Sequence, residues 1–219
     1  GFTGAGNSRR WPPGARAMVM LLLALLLATG PALALEGSAA EGRIKVYTCT
    51  GCHGIDGYRN AYPDYHVPKI LRQNREYIVA ALNAYRSGER THPTMRAQGE
   101  SLSDQDIADI AAFLGSEPLK QTGKAPDAGV PQAAQVCVAC HGVDGVAVLP
   151  DYPSLAGQHA DYIERALEEY RKGARKNPIM AGFVSTLSAA DIKTVAAYYS
   201  SQSPGLETVA RRASRFSAR

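Results

Sequence analysis

All four cysteines of this 219-residue chain lie in pairs three residues apart, and each pair is followed at once by a histidine: Cys49-Thr50-Gly51-Cys52-His53 and Cys137-Val138-Ala139-Cys140-His141. One helical turn brings two such thiols to the same side, where they can add to the two vinyl groups of a haem, and the next residue presents its imidazole to the iron. The pattern predicts two covalently bound haem c groups, attached through Cys49, Cys52, Cys137 and Cys140, with His53 and His141 as axial ligands. Other uses of paired cysteines fit less well. Ligand pairs of a zinc site usually lie about 15–20 residues apart, and here the pairs head separate repeats. A thioredoxin-like redox pair needs a strand-helix-strand setting that the surrounding sequence lacks. Two disulfides, the default reading for an exported chain with four cysteines, do not explain the histidines.

The second half of the chain repeats the first at an offset of 85 residues. Tyr77-Ile78 answers Tyr162-Ile163, Tyr85-Arg86 answers Tyr170-Arg171, and Leu102-Ser103 answers Leu187-Ser188. The cysteine motifs are offset by 88, so the first copy carries three extra residues between Gly57 and Pro68. Past the leader, Met95 and Met180 are the only methionines, each two residues after a proline and at matching places. A lone methionine is most often a pliable core filler; a matched pair is expected to supply the sixth ligand of each iron. His66 and His92 would be competing ligands, but Asn177 stands where His92 has its counterpart and His66 lies near the insertion, so both read as surface residues. His159 reads as structural. Pro68 and Pro153 are placed for a carbonyl to accept the Nδ1 hydrogen of the ligating imidazole. Gln73, Tyr77 and Arg86, with Gln158, Tyr162 and Arg171, are candidates for haem-propionate contacts, the tyrosines serving equally well as packing residues.

The elements that must hold these groups are helical. Tyr77, Ile78, Ala81, Leu82 and Tyr85 fall on one helical face, as do Tyr162, Ile163, Ala166, Leu167 and Tyr170. A last helix in each copy starts at Ser103 with Asp106, and at Ser188 with Asp191, an N-cap with a carboxylate three residues on. A short helix should lead into each cysteine motif, shortened in the second copy by Pro131. Some 80 residues with few helices bury little apolar surface unaided, and a large buried cofactor would complete each core.

Met18–Ala28 is an apolar run of h-region length, preceded by arginines and followed by Ala32-Leu33-Ala34, an A-x-A cleavage pattern. Residues 1–34 are therefore expected to be a signal peptide; an uncleaved membrane anchor is the alternative, disfavoured because a span needs roughly 20 apolar residues. A first domain is expected over 36–120, a linker over 121–132, a second domain over 133–204 and a basic tail over 205–219. The formal charge of +4 resides in the leader and the tail: residues 36–124 hold eleven acids and eleven bases, and 125–210 hold nine acids and six bases. That balance argues against a nucleic-acid face. The tail's arginines would suit an acidic partner or a membrane surface.

The strings CHGIDG and CHGVDG, the segment PSLAGQHADYI, the paired methionines and the LSxxDI helix starts resemble the two-domain cytochromes c of the c4 subfamily over nearly all of residues 42–202. The resemblance implies an all-α protein of two tandem class I cytochrome c folds, each wrapped around a haem with histidine and methionine on the iron. It further implies domains packed about a pseudo-twofold axis with haem propionate edges facing, and electron shuttling in the bacterial periplasm from a quinol-oxidising cytochrome bc complex to a terminal oxidase. The first copy departs from the family pattern: His66-Val67-Pro68-Lys69-Ile70-Leu71-Arg72-Gln73 replaces the PSLAGQ string. An iron with both axial positions filled has no place for substrate, so the expectation is an electron carrier with redox-protein partners and no small-molecule substrate, not an enzyme. The rival readings are the electron-accepting subunit of a periplasmic dehydrogenase, such as flavocytochrome c sulfide dehydrogenase, and a haem peroxidase with one methionine displaced.

Overall fold

The structure, a computed structural model, describes residues 35–209; the expected signal peptide and all but the first residues of the expected tail lie outside them. The chain is mostly helical, in two copies of one motif. In the first copy α1 (Ala39–Lys45) runs through a 3₁₀ turn (Val46–Thr48) into α2 (Thr50–His53), the turn that carries the cysteines. There follow α3 (Arg75–Arg86), α4 (Pro93–Ser101) and α5 (Asp104–Leu114). The second copy has α6 (Val138–His141) as its cysteine turn, then α7 (Ala160–Arg171), α8 (Pro178–Val184) and α9 (Ala189–Ser200). Past Pro131 the counterpart of α1 shrinks to a 3₁₀ turn, Gln132–Ala134, because proline cannot sit inside a helix.

Local chemistry accounts for these boundaries. Ser103 and Ser188 each accept a bond from the N3 amide while Asp106 and Asp191 bond back to the cap amide, so both last helices begin with a full capping box. The methionine helices α4 and α8, absent from the sequence reading, start on Pro93 and Pro178, whose fixed φ suits the first helical turn. Helix α1 crosses α5 so closely that a Cβ on Gly42 would lie 1.8 Å from the Asp109 carbonyl oxygen, which only glycine allows. Val46, Ile78, Ile110, Ala111 and Leu114 form the first core. Ala134, Ile163, Leu167, Val184, Ile192, Val195, Ala196, Tyr198 and Tyr199 form the second.

Lys45 ties α1 to α5 through Asp106 (2.8 Å) and Asp109 (2.5 Å), and Asp109 also accepts from the Ser38 amide at 2.7 Å. The Lys45 ammonium, bonded to both acids, is pushed up to about 12. The same bonds hold the two carboxyl groups below their ordinary value of 3.8. A depressed carboxylate stabilises the fold above its unfolded-state pKa, and that contribution is lost as pH falls through the folded-state value. Asp109→Asn should therefore lower the melting temperature at neutral pH and flatten its decline below about pH 4; thermal melts over a pH series read both effects.

The halves meet through main-chain bonds and through segments that the sequence reading left as loop. The three-residue insertion makes a hairpin of β1 (Arg59–Ala61) and β2 (Asp64–His66), paired antiparallel with Asn60 opposite Tyr65. It docks on α7: the His66 ring stacks on His159 with centroids 4.6 Å apart, and the His66 amide and Nδ1 both donate to Asp161 (3.1 and 2.8 Å). His66 is thus an interface residue and not a surface one. The linker region lies against the second half, Gln121 donating to the Val146 and Ala147 carbonyls and Leu119 packing with Val146, Ala156 and Leu206. Residues 205–209, expected to open the tail, instead return to the first half: Glu207 bridges Leu71, and Val209 is fully buried in the first core with its amide on the His53 carbonyl.

Candidate haem sites

Each cysteine turn fixes its histidine in the same way. His53 Nδ1 donates to the Pro68 carbonyl at 2.8 Å, and His141 Nδ1 donates to the Pro153 carbonyl at 2.9 Å. Because a carbonyl only accepts, these bonds place the hydrogen on Nδ1 and leave the Nε2 lone pair free for a metal. Burial holds both imidazoles below their ordinary pKa, although the carbonyl bonds oppose it, which favours the neutral ring, the form that ligates. In the second half the ring of fully buried Tyr199 stands edge-on to His141, centroids 6.3 Å apart; the corresponding residue of the first half is Leu114.

No disulfide joins the four cysteines; Cys49 packs against the first core and Cys137 against the second. Burial pushes the Cys49 and Cys137 thiols above their ordinary value. Among the described residues no three His, Cys, Asp or Glu side chains gather as a metal site, and the cysteine pairs sit in separate halves, which disposes of the shared zinc centre.

The residue after each motif is glycine for backbone reasons. Gly142 has φ 76° and ψ 154°, a region that side chains essentially do not enter, and a Cβ there would lie 2.2 Å from the Val146 carbonyl oxygen. In the first half a Cβ on Gly54 would meet the Thr50 and Val209 carbonyl oxygens, each at 2.5 Å. Gly142→Ala should cost roughly 1–3 kcal/mol in backbone strain alone and displace His141 from the Pro153 carbonyl. The expected result is a lower melting temperature and a shifted potential of the second haem only.

Met95 and Met180 are half-buried and enter on α4 and α8. Their helices are capped alike by different residues: the Met95 amide donates to His92 Nδ1 at 3.3 Å, and the Met180 amide to Asn177 Oδ1 at 3.0 Å. His92 is therefore the equivalent of an asparagine cap. Met180 and Cys137 both pack on the second core.

The remaining candidates make the following contacts within the chain. Arg86 binds the Leu102 carbonyl (3.2 Å) and Asp104 (2.6 Å), and Arg171 binds the Leu187 carbonyl (3.1 Å) and Glu168; each staples its helix to the start of the last helix. Gln73 and Gln158 cross between halves. Gln73 Nε2 donates to the Ser154 carbonyl and Gln73 Oε1 accepts from the Ser154 amide, both at 2.9 Å; Gln158 Nε2 donates to the Lys69 carbonyl at 2.9 Å and Gln158 Oε1 accepts from the Lys69 amide at 3.0 Å. Lys69 and Ser154 are themselves equivalent in the repeat, so the clasp is reciprocal. The Tyr77 and Tyr162 hydroxyls receive bonds from Arg90 and Arg175. Those two arginines carried no signal in the sequence beyond their matching places.

Comparison with known proteins agrees with this geometry. Residues 39–117 match the family model for cytochrome c, and residues 124–198 match that for cytochrome c oxidase, cbb3-type, subunit III. Cytochrome c4 of Pseudomonas aeruginosa is 35% identical over 83% of this chain and 96% of its own length. A thiosulfate dehydrogenase electron acceptor from Stutzerimonas stutzeri is 29% identical over 88% and 95% of the two chains. Among solved structures, reduced recombinant cytochrome c4 from Pseudomonas stutzeri superposes with a TM-score of 0.61 at 31% identity, covering 76% of this chain and 99% of that one. Two cytochrome c domains, each with a Cys-x-x-Cys-His turn whose imidazole is oriented by a proline carbonyl, carry two covalently bound haem c groups, and the chain belongs to the cytochrome c4 family of electron-transfer proteins.

Proposed function

We propose that this protein is a periplasmic two-haem electron carrier in which His53 and Met95 ligate the first iron and His141 and Met180 the second, and that it moves electrons from a quinol-oxidising cytochrome bc complex to a terminal oxidase. The observation that carries the reading is the duplicated setting of the ligands. Each imidazole is oriented by a proline carbonyl, and each methionine sits at the third position of a capped, proline-started helix. Haem supplies reversible one-electron chemistry; the chain holds the ligands in place in both oxidation states and keeps water away, which limits reorganisation during transfer. Among the described residues no single helix is long and apolar enough to cross a membrane.

A second reading, that the physiological donor is a thiosulfate dehydrogenase, is favoured by the relatives that bear the name of that enzyme's electron acceptor. Spectroelectrochemical titration tests the ligation: two high-potential one-electron transitions, with the far-red methionine band on both ferric haems, are expected. A single methionine band would point to an open iron and overturn the carrier. Stopped-flow reduction by purified bc complex and by thiosulfate dehydrogenase separates the two donors, the physiological one being faster by at least tenfold.

A further inference from the structure

The stretches that follow the two cysteine turns match in sequence and differ in surroundings. After the second turn Val143 is half-buried, and Gly145 and Val146 are buried. The chain leaving α5 lies over them: the Asp144 carboxylate accepts the Thr122 amide, the Thr122 hydroxyl (2.9 Å) and the Gly123 amide (3.0 Å), and Gln121 donates to the Val146 carbonyl at 3.2 Å. After the first turn Ile55, Asp56, Gly57 and Tyr58 are all exposed, Tyr58 by 42% where its counterpart Val146 shows 5%. Asp56, the counterpart of Asp144, accepts no hydrogen bond and forms no ion pair among the described residues. A Cβ on Gly145 would strike the Ala156 amide nitrogen at 2.8 Å, whereas one on Gly57 would meet nothing within 4 Å. One face is closed by a crossing segment, and its equivalent is open.

A second crossing brings chain to the edge of the open face. Past α9 the backbone returns to the first half, where Glu207 bridges Leu71 and the Val209 amide donates to the His53 carbonyl at 3.0 Å. The Val209 carbonyl oxygen stands at Gly54, 2.5 Å from where a Cβ would lie, and Gly54 is the residue before the exposed stretch. Residues 210–219, which lie outside the described residues, read Ala-Arg-Arg-Ala-Ser-Arg-Phe-Ser-Ala-Arg, with four arginines, one aromatic ring and no acid. Asp56 is three residues from His53, and Arg212 is three from Val209; three residues of chain span at most about 11 Å. The arginines of this segment are therefore within reach of the one carboxylate on the face, and Phe216 follows for the apolar Ile55 and Tyr58.

We infer that residues 210–219 seat on the face formed by Ile55–Tyr58, with Arg211 and Arg212 against the Asp56 carboxylate and Phe216 against Ile55 and Tyr58. They close the surface beside the first haem's attachment turn as residues 119–123 close it beside the second. This chain's own segment is favoured over an acidic partner or an anionic membrane because its tether presents it to the seat at an effective concentration on the order of millimolar. The two covers differ in kind. Main-chain amides hold Asp144, whereas arginines hold Asp56 through exposed ion pairs, which are weak and screened by salt. The first cover thus opens reversibly, and a redox protein that approaches its haem over this face displaces the segment, most readily if its own surface is acidic. The inference rests on haem attachment alone and not on the axial methionines or the identity of the donor.

The test is nitration by tetranitromethane of the full-chain holoprotein, with Tyr58 read by peptide mass spectrometry against Tyr62 of the same hairpin, which is 98% exposed. D56N, and R211Q combined with R212Q, should each speed Tyr58 about fivefold, as for a face that is open about one-fifth of the time. Joining all three substitutions should add nothing, because they remove one interaction. High salt should speed Tyr58 in the wild type and leave the variants unchanged. In the wild type, Overhauser contacts should join the Phe216 ring to Ile55 and Tyr58, and their absence overturns the inference without any variant. Equal Tyr58 rates in wild type and variants would overturn it, as would a response to D56N with none to the arginine substitutions. Protection of Tyr58 that arises only when phosphatidylglycerol vesicles are added would assign the arginines to an anionic membrane and also overturn it.

Discussion

Met95→Ala is expected to remove the far-red methionine band from the first ferric haem, leave that of the second intact, and lower the first haem's potential by a few tenths of a volt, within the roughly 0.8 V that axial ligands command. Met180→Ala should do the same to the second haem. The thioether is a soft, neutral ligand that favours ferrous iron; water or hydroxide, the natural replacements, favour ferric. The two variants should also differ. Met180 packs against the second core, so its loss opens a cavity as well as a coordination site and should lower thermal stability by about 2–3 kcal/mol. Met95 is half-buried and stands outside the first core cluster, so its loss should be mainly a redox effect. Visible spectra, redox titration and melting of the two holoproteins check all three expectations. An unaltered first-haem spectrum in Met95→Ala would remove the ligand assignment there.

Gln73→Ala combined with Gln158→Ala should loosen the contact between the halves. Each glutamine is almost fully buried, 5% and 4% exposed, and each satisfies one amide and one carbonyl of the other half. Truncating either strands two main-chain groups, at about 1–3 kcal/mol for each group left unsatisfied. The sites share one interface, so the double variant will not be the sum of the singles. Calorimetry should show a single transition in the wild type resolving into two in the double variant, and hydrogen exchange should quicken at Lys69 and Ser154 first. The stacked His66 and His159 rings and the Arg59–Asp161 pair (3.1 Å) would remain, so loosening rather than full dissociation is expected. A double variant that still melts in one step would show that the backbone bridge at Arg90 and Arg175 suffices to couple the halves.

Cofactor, attachment cysteines, imidazole positions and the starts of both last helices were readable in the amino-acid sequence, because each depends on residues within one or two helical turns: Cys-x-x-Cys-His is a single turn, and Ser103 with Asp106 is a single cap. The matched methionines were found through duplication, which turns two weak local signals into one strong comparison. The proline carbonyls were also anticipated, since the 15- and 12-residue separations differ by the insertion alone.

What only the tertiary structure decided involves partners far apart in the chain or side chains whose type allows several uses. A glutamine's type does not reveal a partner 81 residues away, and Gln73 bonds the Ser154 main chain. Arg86 meets Asp104 and Arg171 the Leu187 carbonyl, partners 18 and 16 residues on that only the packing of the last helices brings near. The insertion read as a loop because three-residue strands have too few positions for an alternating pattern; it became a hairpin only with α7 to dock on. Val209 could not be placed because its burial depends on the chain returning across both halves to His53. The sequence by itself determined which groups carry haem. The fold decided how the two haem-bearing halves are joined, since hydrogen bonds and buried charge are settled by proximity in space, and Arg90 beside Arg175 exists only once the halves have met.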